Sequence, residues 1–114
     1  MVISQGDVWW ADLAVPTGSE PGYRRPVVVV QGDTFNRSSI RTVVCVPVTG
    51  SLKWATTPGN VLLKARQTGL QRDSVANVSQ VTSLDRSALT ERVGKLSESK
   101  LDLVLGGLDV VLGR

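Results

Sequence analysis

The chain has 114 residues, one cysteine, no histidine and a formal net charge of +3, a length that suits a single domain able to bury a core without metal or disulfide staples. The lack of histidine removes Ser–His and Cys–His nucleophile pairs, two-histidine cleavage of RNA and most catalytic zinc sites, leaving Arg, Lys, Asp, Glu, Tyr, Ser or Thr to carry any chemistry. Cys45 has no partner for an internal disulfide; lying in an apolar run, it reads as a buried structural thiol in a reducing compartment.

The first strand is predicted over Asp7 to Leu13, where Val8, Trp10 and Asp12 alternate with Trp9, Ala11 and Leu13. At least one tryptophan therefore faces the core, and the other is either a second core residue or an exposed stacking surface. Residues 14–23 read as a loop punctuated by Pro16, Gly18, Pro21 and Gly22. It leads into Arg24-Arg25-Pro26 and then Val27 to Val30, four β-branched residues that read as a strand buried on both faces. Proline cannot donate to a sheet ladder, so Pro26 is expected at the strand's first residue, with both arginines at its mouth.

Charge is unevenly spread around this strand. Residues 1–20 carry Asp7, Asp12 and Glu20 with no base, a net −3; residues 21–72 carry eight bases against Asp33 alone, a net +7; the remainder is −1. A cationic middle suits an anionic partner, phosphate above all.

Residues 32–39 form a polar turn. Thr42 to Thr49 is the next strand, with Pro47 marking an edge or a bulge. Two neighbouring strands then deliver Arg25 and Thr49 to one end of a sheet. The loop 50–59 carries Lys53 and Trp54, either a base-stacking surface or a tryptophan folded over the barrel. A short strand at 60–64 and a basic loop at 66–73 precede an expected strand from Ser74 to Val81. Neither face of that strand is cleanly apolar, which fits polar side chains turned to a groove. Asp85 caps one turn, Thr90 to Leu96 forms a last strand, and Ser97 caps a helix carrying an apolar stripe from Leu101 to Leu112. Gly106 and Gly107 permit close approach by another backbone, and Gly113 stops the helix.

No repeat, linker or low-complexity segment divides the chain, so residues 1–114 read as one domain. Met1 to Asp12 has no secretory pattern and no apolar run reaches membrane-spanning length, so a soluble cytoplasmic protein is expected. The predicted fold class is mainly β with a C-terminal α-helix, closed as a small barrel.

Several segments in this order resemble the MazF/PemK family of toxin endoribonucleases from type II toxin–antitoxin systems. They are Gly6-Asp7-Val8-Trp9 with Ala11-Asp12-Leu13; Gly18-Ser19-Glu20; Arg25-Pro26-Val27-Val28-Val29; Pro47-Val48-Thr49; Arg72-Asp73-Ser74-Val75 with Gln80; Leu84-Asp85; and Leu89-Thr90. The resemblance implies an SH3-like barrel acting as a homodimer. It implies sequence-specific cleavage of single-stranded RNA with no cofactor or metal, and an antitoxin whose flexible acidic and apolar segment covers the groove. It further implies Arg25 and Thr49 as the catalytic centre and RNA-binding positions at Ser19, Ser74, Asn77 and Gln80.

Arg24, Lys53, Trp54 and Arg72 join the RNA-binding candidates on charge and stacking chemistry. RNA brings its own nucleophile, the 2′-hydroxyl, so Arg25 is expected to steady charge on the phosphorane. Arginine is too weak an acid to serve as the base; Glu20 is the nearest carboxylate in sequence, and a catalytic or positioning role for it stays open. Two other functions remain: a gyrase poison of the same fold, whose expected aromatic-and-carboxylate C-terminus is absent here, and an inactive RNA-binding relative.

Overall fold

The computed structural model describes residues 1–15, 17–19 and 22–114. In chain order its elements are β1 (Asp7–Leu13), β2 (Tyr23–Val29), α1 (Asp33–Asn36), β3 (Thr42–Thr49), β4 (Val61–Leu63), α2 (Ala65–Thr68), β5 (Ser74–Ala76), β6 (Thr82–Asp85), β7 (Leu89–Lys95) and α3 (Glu98–Val111). Short 3-10 turns occupy Leu52–Thr56, Val78–Gln80 and Arg86–Ala88. Among the described residues the sheet runs β4-β5-β3-β2-β1-β7, with β6 also paired to β3, and curls into a half-barrel backed by α3. No helix among them is long and apolar enough to cross a membrane.

The valine strand is buried on both sides, as its composition predicts. Val27 and Val29 pack with Trp9, Ala11, Val43, Cys45 and Leu89. Val28 and Val30 pack on the other face with Val8, Val46, Val48, Leu63, Val78 and Val104. Strand alternation produces the division, because successive side chains leave a strand on opposite faces. β2 thus lies between two apolar clusters, and its N-terminal end projects beyond both.

Pro26 is not the first residue of its strand. β2 begins three residues earlier and pairs with β1 from Tyr23 onwards. Its ladder to β3 starts only at Val27, so at Pro26 the strand is still an edge on that side and tolerates the missing donor. Pro47 is accommodated in a related way inside the most heavily paired strand. On the side away from β2, β3 pairs with β6 from Thr42 to Cys45 and with β5 at Val48 and Thr49. Pro47 falls in the gap, where its carbonyl accepts from the Asn77 N–H at 2.9 Å.

The expected strand from Ser74 to Val81 is shorter than its alternation implies. It ends at Ala76, and the chain turns through 3-10 geometry at Val78–Gln80. Bonds from the Asn60 side chain end it: its Oδ1 accepts from the Val78 N–H at 2.9 Å, and its Nδ2 donates to Asn77 Oδ1 at 3.3 Å. The segment is also more buried than its polarity suggests, with Ser74, Val75, Ala76 and Val78 all inside. Strand β6 then follows where the sequence reading placed none, and the polar stretches at 32–39 and 66–73 hold the single turns α1 and α2.

Helix α3 begins as expected, with the Ser97 hydroxyl accepting from the Lys100 N–H. Leu101, Val104, Leu105 and Leu108 pack on the core, but Val111 and Leu112 are exposed, so the buried stripe ends at Leu108. Of the two glycines, Gly107 makes the close approach: a Cβ there would run into the Gly59 carbonyl oxygen, whereas one on Gly106 meets nothing within 4 Å. Gly113 ends the helix with φ +71°.

Candidate active site

A cleft of about 770 Å³ opens beside the N-terminal end of β2. Its walls come from the two ends of the chain and the middle: Trp10 on β1, Gly22 and the first four residues of β2, Val48 and Gly50 at the end of β3, residues 69–73 with Ser74 at the start of β5, and Glu91 to Val93 on β7. The β1 ladders assemble it, pairing Trp10 with Pro26 on one side and with Glu91 on the other.

Four arginines line this cleft, Arg24, Arg25, Arg72 and Arg92. Arg24 lies over the half-buried Trp10, its central carbon 4.6 Å from the ring centroid, within cation–π range. Arg25 donates from Nε to the Gly22 carbonyl at 3.1 Å. That bond fixes the plane of the guanidinium through one nitrogen, and its two terminal nitrogens take no hydrogen bond among the described residues. Arg72 Nη2 lies 3.8 Å from where a Cβ on Gly50 would stand, which brings its charge to the residue after Thr49.

Thr49 reaches the same end of the sheet by register. The ladder between β2 and β3 ends at the pair Val27–Pro47; Arg25 and Thr49 each lie two residues beyond it, at the same end of the two strands, and Thr49 itself is not among the residues lining the cleft. The Thr49 oxygen accepts from the Ser51 N–H at 3.2 Å, leaving the hydroxyl hydrogen free to donate. By strand alternation Arg25 and Thr49 share the face of Val27, and Arg24 shares that of Trp10 and Pro26.

Ser74 lines the cleft while only 4% exposed, and its hydroxyl has no partner among the described residues. Such a group costs about 1–3 kcal/mol unless something satisfies it. The two carboxylates in the wall, Asp73 and Glu91, leave the cleft net cationic. Asp73 accepts from the Ala65 N–H at 2.9 Å and faces Lys64 Nζ at 3.6 Å; the backbone bond first, then the lysine, hold its carboxyl below the usual range.

The remaining candidates stand elsewhere. Asn77 is bonded to Asn60. Gln80 lines a second cleft of about 400 Å³ with Leu13, Ser79, Thr82 and Ser83. Lys53 sits 5.2 Å from the ring of its neighbour Trp54, which is 45% exposed and lines neither cleft. Ser19 is exposed in the loop before β2, and Glu20 lies outside the described residues. Cys45 is sealed in the core, where desolvation pushes its thiol up to about 12.

Sequence reasoning did not single out Glu91, Arg92 or the network behind them. Asp7 is 2% exposed; its Oδ2 accepts from the Ser4 N–H at 2.9 Å and from Trp9 Nε1 at 3.3 Å. Its Oδ1 faces Arg92 Nε at 3.3 Å as an ion pair, without hydrogen-bond alignment. Partners 85 residues apart leave no local signal.

The whole chain has recognisable relatives. Residues 4–112 match the family described as PemK-like, MazF-like toxin of type II toxin–antitoxin system. The endoribonuclease MazF6 of Mycobacterium tuberculosis is 46% identical over 112 residues, 98% of each chain. This chain belongs to the PemK-like, MazF-like toxin family. Among solved members, MazF of Deinococcus radiodurans superposes with a TM-score of 0.84 at 28% identity, covering 100% of this chain and 99% of that one. A MazE–MazF complex from the same organism superposes at 0.79 with 29% identity, covering 100% and 98%. The SH3-like fold expected of a PemK/MazF toxin is therefore the one found.

Proposed function

We propose that this toxin is a sequence-specific endoribonuclease of single-stranded RNA that uses Arg25 and Thr49 as its catalytic pair. It works in the cytoplasm as a homodimer of one toxin domain spanning residues 1–114, held in check by a small antitoxin whose acidic and apolar segment lies in the cleft. The observation that carries this reading is the convergence of Arg24, Arg25 and Arg72 on one cleft at the sheet end where β3 finishes at Thr49. MazF6, at 46% identity, carries the endoribonuclease name.

In the reaction the 2′-oxygen attacks the adjacent phosphorus. The new P–O2′ bond forms as the P–O5′ bond breaks, giving a 2′,3′-cyclic phosphate and a 5′-hydroxyl. The 2′ proton leaves to a base and the departing 5′-oxygen gains a proton, so no co-reactant is needed. Arg25, anchored through Nε, presents its terminal nitrogens to the phosphorane oxygens. Thr49, whose oxygen already accepts from Ser51, donates its hydroxyl hydrogen to a non-bridging oxygen. Arg24 and Arg72 hold flanking phosphates, and the unpaired Ser74 hydroxyl offers a hydrogen bond to a base.

The test is to incubate the purified protein with a long single-stranded RNA in excess EDTA beside Arg25→Ala and to map the product ends. Discrete cuts that leave 5′-hydroxyl ends and vanish in the variant are expected. No cutting by the folded wild type, or equal cutting by the variant, overturns the proposal.

A further inference from the structure

Tyr23 is the only non-glycine residue with positive φ among the described residues, at +60°. A bulky side chain in that region is uncommon because its Cβ crowds the following carbonyl. The turn itself does not require tyrosine, since glycine takes the same angles without strain. The side chain earns no return inside the fold either. It is 64% exposed and makes no hydrogen bond or ring contact among the described residues. It stands on the lip of the arginine cleft, beside Gly22, whose carbonyl holds Arg25. Trp10, the other aromatic of this cleft, already has a guanidinium over its ring, so Tyr23 is the bare one.

We infer that Tyr23 is a base-stacking residue, displayed by its left-handed backbone so that an unstacked nucleobase of the RNA lies on its ring while Arg25 holds the adjacent phosphate. The inference rests on the ribonuclease reading and adds a nucleotide position that it leaves unread. Every base has a π face, so Tyr23 contributes affinity at one position with little preference among bases.

The test uses a single-stranded RNA whose cut site has been mapped, with the 2′-hydroxyl at the cut replaced by hydrogen so that it binds without reacting. A series of this RNA carries one abasic site at each position in turn. Wild type should lose roughly five- to a hundred-fold in affinity at an abasic position beside the cut. Tyr23→Gly should bind the intact RNA more weakly by a similar factor and be indifferent to the abasic site at that one position. Tyr23→Phe should keep the wild-type profile. Because glycine relieves the strained angle, Tyr23→Gly should keep the wild-type Tm or better, so weak binding cannot come from unfolding. Equal binding by wild type and Tyr23→Gly, or a loss with the abasic profile unchanged, overturns the inference while leaving the ribonuclease standing. Wild type that neither cuts nor binds the RNA sinks both.

Discussion

In the proposed reaction Arg25 holds a phosphorane, for which the shape of its head counts as much as its charge. Lysine keeps the charge and loses the planar fork, so Arg25→Lys should fall by about a hundredfold or more in kcat, the usual effect of removing a transition-state donor. Single-turnover cleavage of the mapped RNA measures this, and near wild-type rates would count against the role. Asp7 makes the opposite case, a charge kept for architecture. Asp7→Ala leaves the buried Trp9 N–H and the Ser4 N–H without their acceptor, while the half-exposed Arg92 returns to water; it should cost about 1–3 kcal/mol, which urea unfolding reads directly. Cys45 is inert by burial: with its thiol pushed up to about 12, it should resist iodoacetamide in the native protein at pH 8 and react on unfolding.

At the scale of elements, the two helical glycines separate backbone contact from mere helix weakening. Gly106→Ala should stabilise by up to about 1 kcal/mol, since alanine is the better helix former and the site is open. Gly107→Ala should destabilise, because its new methyl group meets the Gly59 carbonyl; thermal unfolding of the pair should show shifts of opposite sign. The sequence permitted a close approach at either glycine, and only the docked helix distinguishes them. Elements with a strong period were legible for physical reasons: β1, β3 and α3 bury one face or both of an amphipathic or apolar run. Strand β6, with Thr82, Ser83 and Asp85 among its four residues, carries no such period and exists because β3 offers it an edge. The break after Ala76 was hidden because it depends on Asn60, a residue remote in sequence.

For the molecule as a whole, acid should be the weak side. Asp33, Asp73 and Asp85 are all held below the usual carboxylate range, first by the Gln5 N–H, the Ala65 N–H and the Ser87 hydroxyl respectively. A carboxyl with a lower value folded than unfolded stabilises fully above its unfolded value, near 4, and loses that contribution as pH falls through its folded value. Unfolding midpoints should therefore hold steady from neutral pH to about pH 5 and drop below about pH 4; Asp33→Asn should make the drop shallower. The candidate site was legible to the extent that it is local. Arg24-Arg25-Pro26 and Thr49 announce a cationic strand end, whereas Glu91 and Arg92 enter the cleft only through the pairing of β7 with β1.

That pairing also orders events during synthesis. Arg24 and Arg25 leave the ribosome early, but the wall facing them, at Glu91 and Arg92, is translated some 66 residues later. At about 5–20 residues per second that is a delay of roughly 3–13 s. β3 meanwhile waits for β5 and β6 to supply its outer partners. A nascent chain therefore carries Arg24 and Arg25 for seconds before β7 can complete the cleft that they line.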